Sequence, residues 1–317
     1  MLSSLKFVQG AVAKKDFVPA LAHFRIAGGK VIGYNGSLAL CGPINLDLEV
    51  TPKAISFIHA IQACKETISM HVTDNGRLSV KSGKFKAFID CISEPYPEIA
   101  PEGAEVKLDG SLLKTIKILS PFIAEDASRS WARGILFRGS SAYATNNVVI
   151  IEHWLGYTFP VEINVPKSAV TELLRIDEEP ERLQVTNTSI TFHFSGGRWL
   201  RTQTYDLSWP DISKVLDQES NSADIPEGFF TALEDLTHFV GDTGALLFKE
   251  DGSITTSSTD GQGASVAVDP FGATGVYNID QLKLLSGVAQ RADFSRTPAM
   301  FFGDALRGAI AGMRVTV

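Results

Sequence analysis

The stretch VPKSAVTELLRI, residues 165–176, decides the fold because similar stretches stand at equivalent places elsewhere in the chain. Its counterparts are TPKAISFIHAI at residues 51–61 and NIDQLKLLSGV at residues 278–288. Each places apolar residues at helical spacing. In the first counterpart, Thr51 suits the N-cap of a helix and Pro52 its first position. The spacing predicts three equivalent helices and therefore a chain built from repeated units.

A second set of helices is predicted ahead of these three, at residues 2–13, 108–123 and 227–240. The intervening segments read as short strands, and the turn signals GG, NG and DNG within them are typical of hairpins. Each third of the chain thus contains two helices and two groups of strands. We therefore expect an α+β fold of three tandem domains, each with two helices packed on antiparallel sheets. The predicted boundaries are residues 1–103, 104–217 and 218–317.

Composition sets broad limits on the kind of protein. The chain has 317 residues, of which 44% are hydrophobic and 21% are charged, an ordinary globular mixture. No apolar run reaches the length of a membrane helix, and residues 1–16 show no signal-peptide pattern. The three cysteines share no metal-binding spacing, so reduced thiols in the cytoplasm are expected. No membrane partner is predicted.

Motifs of enzymatic chemistry are absent from the sequence. It contains no phosphate-binding glycine loop, no dinucleotide fingerprint and no nucleophile elbow. The six histidines are dispersed and predict no metal site, and the acidic pair Glu125-Asp126 is typical of a solvated turn. We expect no catalytic residues and no cofactor, although a site assembled from distant residues stays an alternative.

Basic residues recur on or beside the predicted helices. The formal net charge is −7, so any positive surface must come from an uneven distribution of charge. Lysines also favour exposed helix faces for reasons unrelated to binding, and the predicted helix at residues 227–240 has none. If the helices shared a surface, it would bind the phosphates of double-stranded DNA without sequence preference. The candidate DNA-binding residues are Lys14, Lys15, Lys53, Lys65, Lys114, Lys117, Lys167, Arg175, Lys283 and Arg291.

Four further stretches carry a resemblance to a known family. They are SRSWARGILF at residues 128–137, AYATNNVVII at 142–151, SWPDISKVL at 208–216 and GMRVTV at 312–317. In order and spacing they resemble segments of the bacterial DNA polymerase sliding clamp, the beta subunit of DNA polymerase III. The motifs are eroded, which indicates a divergent clamp of the kind that a phage or another mobile element encodes.

The resemblance implies a function and partners. The three domains would form an arc, and two copies would close into a homodimeric ring whose helices surround duplex DNA. Such a ring is a processivity factor: it slides on DNA and tethers a DNA polymerase, and it also binds clamp-loader peptides. Lys15, with Lys14 beside it, matches a basic DNA-contacting loop residue of the family. The alternative is a scaffold or binding protein that has the clamp fold without encircling DNA.

The resemblance also assigns a pocket for partner peptides and a ring interface. Tyr96 and Leu236 fall near ring-interface positions. At Val148 and Val149 the family has His and Arg, so this pocket would have lost a basic rim and is expected to take a different peptide. Asn146 and Asn147 before them are expected to form a turn between two strands. The predicted pocket residues are Ala132, Thr145, Asn147, Val148, Val149, Ile150, Pro210, Val215, Ala309, Ala311 and Met313.

Overall fold

A computed structural model describes residues 1–13, 18–125, 128–205, 207–256 and 263–314. The candidate residues Lys14 and Lys15 lie outside the described residues. The predicted α+β class, with helices on antiparallel sheets, is confirmed. The chain folds into two compact units. Unit 1 comprises residues 1–113 and 168–204, and unit 2 comprises residues 114–167 and 205–317.

Unit 1 contains a seven-stranded and a three-stranded antiparallel sheet with three helices. The helices are α1 (Leu2–Val8), α2 (Ala54–Ala63) and α4 (Lys167–Ile176). The first residue of α4, Lys167, belongs to unit 2, and the rest of the helix belongs to unit 1. The larger sheet has the order β1-β2-β3-β14-β13-β12-β7 and the smaller one the order β4-β5-β6. The strands are β1 (Arg25–Ala27), β2 (Lys30–Tyr34), β3 (Leu38–Pro43), β4 (Ile68–Val72), β5 (Leu78–Ser82), β6 (Phe85–Ile89), β7 (Ala104–Lys107), β12 (Arg182–Val185), β13 (Ser189–Phe194) and β14 (Arg198–Gln203).

Unit 2 contains an eight-stranded and a four-stranded antiparallel sheet with the remaining helices. These helices are α3 (Leu113–Leu119, all but its first residue), α5 (Ser213–Leu216), α6 (Phe229–Leu236) and α7 (Ile279–Lys283). The sheet orders are β11-β8-β9-β10-β22-β21-β20-β15 and β18-β17-β16-β19. The strands are β8 (Gly134–Arg138), β9 (Ser141–Thr145), β10 (Val149–Trp154), β11 (Ile163–Pro166), β15 (Ala223–Asp224), β16 (Ala245–Phe248), β17 (Ser253–Thr256), β18 (Ser265–Ala267), β19 (Gly275–Asn278), β20 (Arg291–Asp293), β21 (Ala299–Gly303) and β22 (Leu306–Ile310).

A repeated order of elements runs through both units. Each helix except α5 is followed by three consecutive strands that we call a strand triplet. The six triplets are β1–β3, β4–β6, β8–β10, β12–β14, β16–β18 and β20–β22. We call the extended segment that directly precedes such a helix its lead strand. The lead strands are residues 50–53 before α2, then β7, β11, β15 and β19.

Two pairing rules connect these elements. Each lead strand pairs antiparallel with the first strand of the neighbouring triplet, as β7 does with β12 and β11 with β8. The third strand of one triplet pairs with the third strand of another, as β3 does with β14 and β10 with β22. These pairings build the large sheets, because single triplets have only three strands each.

The compact units cut through the predicted middle domain. The pair β3·β14 joins strands that the sequence assigns to the first and second domains, and β10·β22 joins the second to the third. Continuous sheets therefore cross both of the predicted boundaries. The three-domain division stays a prediction.

Some predicted helix starts and ends shift for local reasons. Helix α2 begins at Ala54 with Lys53 at its N-cap, and not at Thr51 and Pro52 as predicted. Thr51 and Pro52 belong to the lead strand instead. The Thr51 side chain is therefore not a helix cap, and its Oγ1 donates to the Ile92 carbonyl at 2.5 Å. Helix α7 ends at Lys283, and residues 284–288 continue as turns. Arg291, predicted at the end of this helix, instead opens β20.

The cores of both units are apolar. In unit 2, Phe294 lies at the centre of an aromatic cluster, with ring centroids 5.7 Å from Phe248 and 5.1 Å from Tyr277. In unit 1, Leu5 of α1 and Phe57 of α2 are fully buried. Burial of such side chains supplies the main stabilising free energy. It also fixes the strands that carry the candidate site.

Candidate functional site: an apolar pocket in unit 2

The turn between β9 and β10 is fixed by its own side chains. The Asn146 side-chain oxygen accepts hydrogen bonds from the backbone amides of Val148 at 3.0 Å and Val149 at 2.8 Å. Asn147 adopts a left-handed conformation with φ of 74°, which asparagine tolerates better than most residues. Thr145 Oγ1 donates to the Val149 carbonyl at 2.7 Å. The predicted turn is thus confirmed, and its geometry holds Val148 outward with 37% of its surface exposed.

The same turn is anchored to α7. Asn146 Nδ2 donates to Gln281 Oε1 at 2.6 Å. Helix α7 is itself capped by Asn278, whose side-chain oxygen accepts from the amides of Asp280 and Gln281. The turn between β9 and β10 is therefore held in place by a helix far along the sequence.

A cavity of about 300 Å³ opens beside this turn. Strands β10 and β22 form one wall, where Ile150 lies opposite Ala309 and the Ala311 amide donates to the Val148 carbonyl at 2.9 Å. Val215 of α5 forms another part of the lining. The lining residues are Arg129, Trp131, Thr145, Asn147, Val148, Val149, Ile150, Val215, Thr297, Pro298, Ala309 and Ala311. Most of these described lining residues are apolar, and among them Arg129 alone has a charged side chain, so the cavity suits apolar groups with a polar group at the rim.

Eight of the eleven predicted pocket residues line this cavity, and three do not. Ala132 is completely buried next to the lining residue Trp131. Pro210 is exposed but is not among the lining residues, and Met313 is half-buried with its amide donating to the Val276 carbonyl at 2.7 Å. These three lie outside the lining of the described cavity, and their part in a peptide pocket stays a prediction.

Four lining residues were not predicted from the sequence. Trp131 stands within the stretch 128–137 quoted above, and a large aromatic side chain there could have indicated a pocket wall. The centroid of its ring lies 5.0 Å from that of Trp209. Arg129 is in the same stretch. Thr297 and Pro298, joined by a cis peptide bond, have no signal in the sequence that relates them to a pocket.

A charged network behind the pocket holds α5 in position. Glu152 on β10 is 4% exposed and accepts from Arg307 Nε at 2.7 Å and from the Tyr143 hydroxyl at 2.9 Å. Arg307 also pairs with Asp217 at 2.8 Å and donates to the Leu216 carbonyl at 3.1 Å. That carbonyl belongs to the last residue of α5, and Val215 precedes it. Arg307 therefore positions a lining residue without contacting the cavity.

The electrostatics of this network favour the charged guanidinium. Burial by itself would lower the pKa of Arg307, but the hydrogen bonds and negative charges of Glu152 and Asp217 outweigh it and raise the pKa. Burial is also the main reason why the pKa of Tyr143 is raised, with a further contribution from Glu152. Arg307 thus stays charged and tied to both carboxylates.

Known proteins share the fold of this chain but little of its sequence. No family model matches the chain, and no curated protein matches it. Solved structures match over 99% of this chain and 97% of theirs. They include the C. crescentus beta sliding clamp at TM-score 0.85 and 16% identity, the Pseudomonas aeruginosa DNA polymerase III subunit beta at 0.84 and 19%, and the Bacillus subtilis DNA polymerase sliding clamp at 0.81 and 16%.

This chain has the sliding-clamp fold. Identities of this size establish the shared fold alone, so the function must be argued from the residues of this chain. Within the described residues, no group of three or more His, Cys, Asp or Glu side chains is arranged to hold a metal ion. Among the helices that the structure describes, none is long and apolar enough to cross a membrane.

The described candidate DNA-binding residues differ in exposure. Lys53 and Lys65 beside α2 and Lys114 and Lys117 on α3 have exposed side chains. The partners of the other four candidates are as follows. Lys167 pairs with Glu125, Lys283 pairs with Glu234 at 2.8 Å, and the Arg291 guanidinium lies over the Phe302 ring at 5.6 Å.

Arg175 has a structural role in the described chain. Its guanidinium donates to the Phe7 carbonyl at 2.7 Å and pairs with Glu172 at 2.6 Å. Phe7 is in the last turn of α1, where a cation offsets the negative end of the helix. Lys167 also acts on a neighbouring side chain, because its hydrogen bond to Glu125 lowers the pKa of that carboxyl group. For Arg175 in particular, the favoured role shifts from DNA contact to helix stabilisation.

The two predicted ring-interface residues are buried in the single chain. Tyr96 is 6% exposed and its hydroxyl donates to the His23 carbonyl at 3.4 Å, while Leu236 is 1% exposed. Their place at a ring interface stays a prediction. Two exposed aromatic residues stand out instead: Phe88 on β6 and Phe239 after α6, with 54% and 56% of their surfaces exposed.

Proposed function

We propose that the protein is a DNA sliding clamp: two copies close into a ring, encircle duplex DNA without sequence preference, and tether a DNA polymerase. The sliding-clamp fold supports this proposal, and one observation carries it. Four of the six strand triplets pair through their third strands, in β3·β14 and β10·β22. The third strands of the other two triplets, β6 and β18, are edges of their sheets among the described residues.

Ring closure would extend the same pairing rule between copies. Strand β6 of one copy would pair with β18 of the next, and the reciprocal contact would close a ring of two. An unpaired sheet edge is a ready site for strand pairing, and a closed ring leaves no such edge at this contact.

Charge complementarity favours this contact. The β6 edge carries the exposed basic residues Lys84 and Lys86, and the Lys86 ammonium lies over the Phe88 ring at 4.6 Å. Helix α6, which packs near β18, carries the exposed acidic residue Asp235 beside Glu234, whose charge is shared with Lys283 of the same chain. Opposite charges at an interface speed association and select the correct partner.

The proposal assigns no catalytic step to the protein. A clamp works topologically, because a closed ring can slide on DNA but cannot dissociate from a circle. The pocket beside Val148 would bind the polymerase and the clamp loader by short peptide segments. The proposal includes a cytoplasmic location, where the replication machinery of a bacterium operates.

Retention on circular DNA tests the proposal directly. The protein, loaded on a nicked plasmid with a clamp loader, is expected to remain bound through gel filtration in 0.5 M NaCl and to be lost once the plasmid is linearised. High salt removes non-specific phosphate binding but leaves topological linkage intact. Equal loss from circular and linear DNA would instead support the scaffold alternative.

Neutralising the helix lysines is expected to weaken DNA contact without opening the ring. Binding to linear duplex DNA weakens as salt rises, and the logarithm of the binding constant falls linearly with the logarithm of the salt concentration. The triple variant Lys114→Gln, Lys117→Gln and Lys167→Gln should reduce the size of this slope by about 2 to 3, if each lysine neutralises one phosphate. The measurement is fluorescence anisotropy between 50 and 200 mM NaCl.

A matched triple variant controls for net charge. Lys30, Lys107 and Lys249 are exposed lysines on strands or strand turns, and their replacement by glutamine removes the same charge. This control should leave the slope near the wild-type value. Equal slopes for the two triple variants would contradict a DNA-binding role for the helices.

The pocket is expected to discriminate against the usual bacterial clamp-binding peptide. The resemblance places Val148 and Val149 where the sliding-clamp family has His and Arg, so the polar contacts of those two side chains would be lost at this rim. One lost charge-assisted hydrogen bond corresponds to about tenfold in affinity. We expect such a peptide to bind this protein at least about tenfold more weakly than it binds the Pseudomonas aeruginosa clamp, as measured by fluorescence anisotropy. Equal affinities for the two proteins would contradict the prediction.

A further inference from the structure

The turn between β2 and β3 repeats the construction of the turn beside the unit 2 pocket. The Asn35 side-chain oxygen accepts hydrogen bonds from the backbone amides of Ser37 at 3.2 Å and Leu38 at 2.9 Å. The Asn35 amide donates to the Leu38 carbonyl at 3.1 Å, and Gly36 has a positive φ of 97°. The turn between β9 and β10 has the same hydrogen bonds and a positive φ at the same position, so the two turns are equivalent parts of the repeated fold.

A cavity again lies beside the turn, and all of its lining residues belong to unit 1. Its volume is about 80 Å³, against about 300 Å³ for the cavity in unit 2. Strand β14 stands beside β3 as β22 stands beside β10, with Arg201 in the place of Ala309. By the same register, Tyr34 takes the place of Thr145. These two larger side chains account for the smaller volume.

The charge at this cavity comes from an arginine that is mostly buried and a carboxylate that is mostly exposed. Arg201 Nη2 donates to Glu102 at 2.7 Å and to Ser189 Oγ at 3.4 Å. The Arg201 side chain is 18% exposed, whereas that of Glu102, in the segment between β6 and β7, is 59% exposed. Ion pairs with an exposed member contribute little free energy, so another carboxylate can replace Glu102 on Arg201 at little cost.

The rest of the lining is small and apolar, with a polar rim. Ala39 is completely buried, and Ile99 and Tyr34 pack against the same cluster. A volume of about 80 Å³ corresponds to roughly three water molecules, so the cavity admits a short aliphatic side chain and excludes an aromatic ring. The exposed residues Ser37 and Gln203 add hydrogen-bonding groups at the rim.

Helix α1 packs on the opposite face of this sheet. A Cβ added at Gly42 of β3 would lie 3.6 Å from Ser4 and 3.8 Å from Phe7, both on α1. Ala39 is an odd number of residues from Gly42 along the same strand and therefore faces the other way, toward the cavity. Any residues that run into α1 approach the face away from the cavity, which favours another molecule as its occupant.

We propose that this cavity is a second binding site for a partner protein, whose extended segment inserts one short aliphatic side chain and places an adjacent carboxylate on Arg201 in exchange for Glu102. Such a segment is acidic, unlike the apolar segment that suits the unit 2 pocket. The proposal rests on the proposed function in one respect, that partners reach the protein by short segments. Ring closure and retention on circular DNA are separate properties and are measured separately.

The probe is the tetrapeptide Gly-Val-Glu-Gly, acetylated and amidated. In an NMR titration it should shift the backbone amides of Ser37, Ala39 and Gln203 and leave those of Val148 and Ala311, beside the unit 2 pocket, unchanged. The same peptide with glutamine for glutamate lacks the carboxylate, and one with phenylalanine for valine is too large for the cavity. Each should bind at least about tenfold more weakly than the probe.

Two protein variants separate ligand binding from a structural role of the ion pair. Glu102→Gln removes the competing carboxylate and should tighten binding of the probe by about threefold. Arg201→Gln should weaken it at least about tenfold and abolish the preference for the glutamate peptide over the glutamine peptide. An ion pair that only stabilises the fold would make both variants change binding in the same direction.

Four results would overturn the proposal: unchanged spectra with the probe, equal affinities for the glutamate and glutamine peptides, shifts confined to Val148 and Ala311, or shifts at Ser37 and Gln203 that appear with rising protein concentration alone. The last of these would mean that a second copy occupies the cavity. Normal probe binding by a protein that is lost equally from circular and linear DNA would contradict the ring and leave this site standing. Retention on circular DNA without probe binding would contradict this site and leave the ring standing.

Discussion

Replacing Glu152 by alanine is expected to lower the free energy of unfolding by about 3 kcal/mol. The substitution removes a carboxylate that is 4% exposed and leaves the Arg307 guanidinium, about a quarter exposed, with Asp217 as its remaining ion-pair partner. It also removes the acceptor of the Tyr143 hydroxyl. Removing one member of a buried pair costs roughly 3 to 5 kcal/mol, and the partial exposure of Arg307 places this variant at the lower end. Urea unfolding measures the change.

The control for Glu152 is an exposed pair in the same unit. Arg138 and Glu162 lie 2.6 Å apart with about two fifths of each side chain exposed. Glu162→Ala should cost less than about 1 kcal/mol, because water replaces the lost partner. A cost for Glu152→Ala no larger than this would show that the network is not a stabilising element. Because Arg307 holds the end of α5, the Glu152 variant should also weaken peptide binding in the pocket.

The helices could be predicted from the sequence because their signal is local. Helix α4 shows the period in full, with Ala169, Val170 and Leu173 buried on one face. The prediction failed at α7, which ends at Lys283 although Leu285 and Val288 continue the apolar spacing. Residues 284–288 form turns, and within them Gly287 adopts φ of 77°, a conformation that a continuing helix does not allow. Helix α5 was missed because four residues are too few to show a period.

The sheet pairings and parts of the site could not be predicted in this way. Strands β3 and β14 are separated by more than 150 residues, and no local pattern in either one specifies the other. The resemblance grouped Thr145, Val215 and Ala309, and these three residues line one cavity in the structure. It supplies positions along the chain but no exposure, so the burial of Tyr96 and Leu236 could not be predicted from it. Phe88 and Phe239 became visible only once burial was known.

Disrupting the β6 edge is expected to convert the proposed ring into monomers. The double variant Lys86→Glu and Phe88→Asp reverses the charge of the edge and removes an exposed aromatic anchor. It would set negative charge against the acidic residues of α6 across the β6·β18 contact. We expect the dimer dissociation constant to rise at least about 100-fold, which is about 2.7 kcal/mol. Analytical ultracentrifugation should show the mass fall from twice 34.3 kDa to the single-chain value.

A control variant at the opposite edge of the same sheet tests whether the β6 changes act on the interface or simply destabilise the protein. Val72→Asp on β4, combined with Lys30→Glu, makes the same changes of charge at comparably exposed positions in unit 1. This control should remain a dimer and stay on circular DNA, whereas the β6 variant should lose both properties together. A dimer that survives the β6 changes would exclude this edge from the interface. A wild-type protein that is already monomeric would refute the ring itself, because one chain leaves both β6 and β18 unpaired.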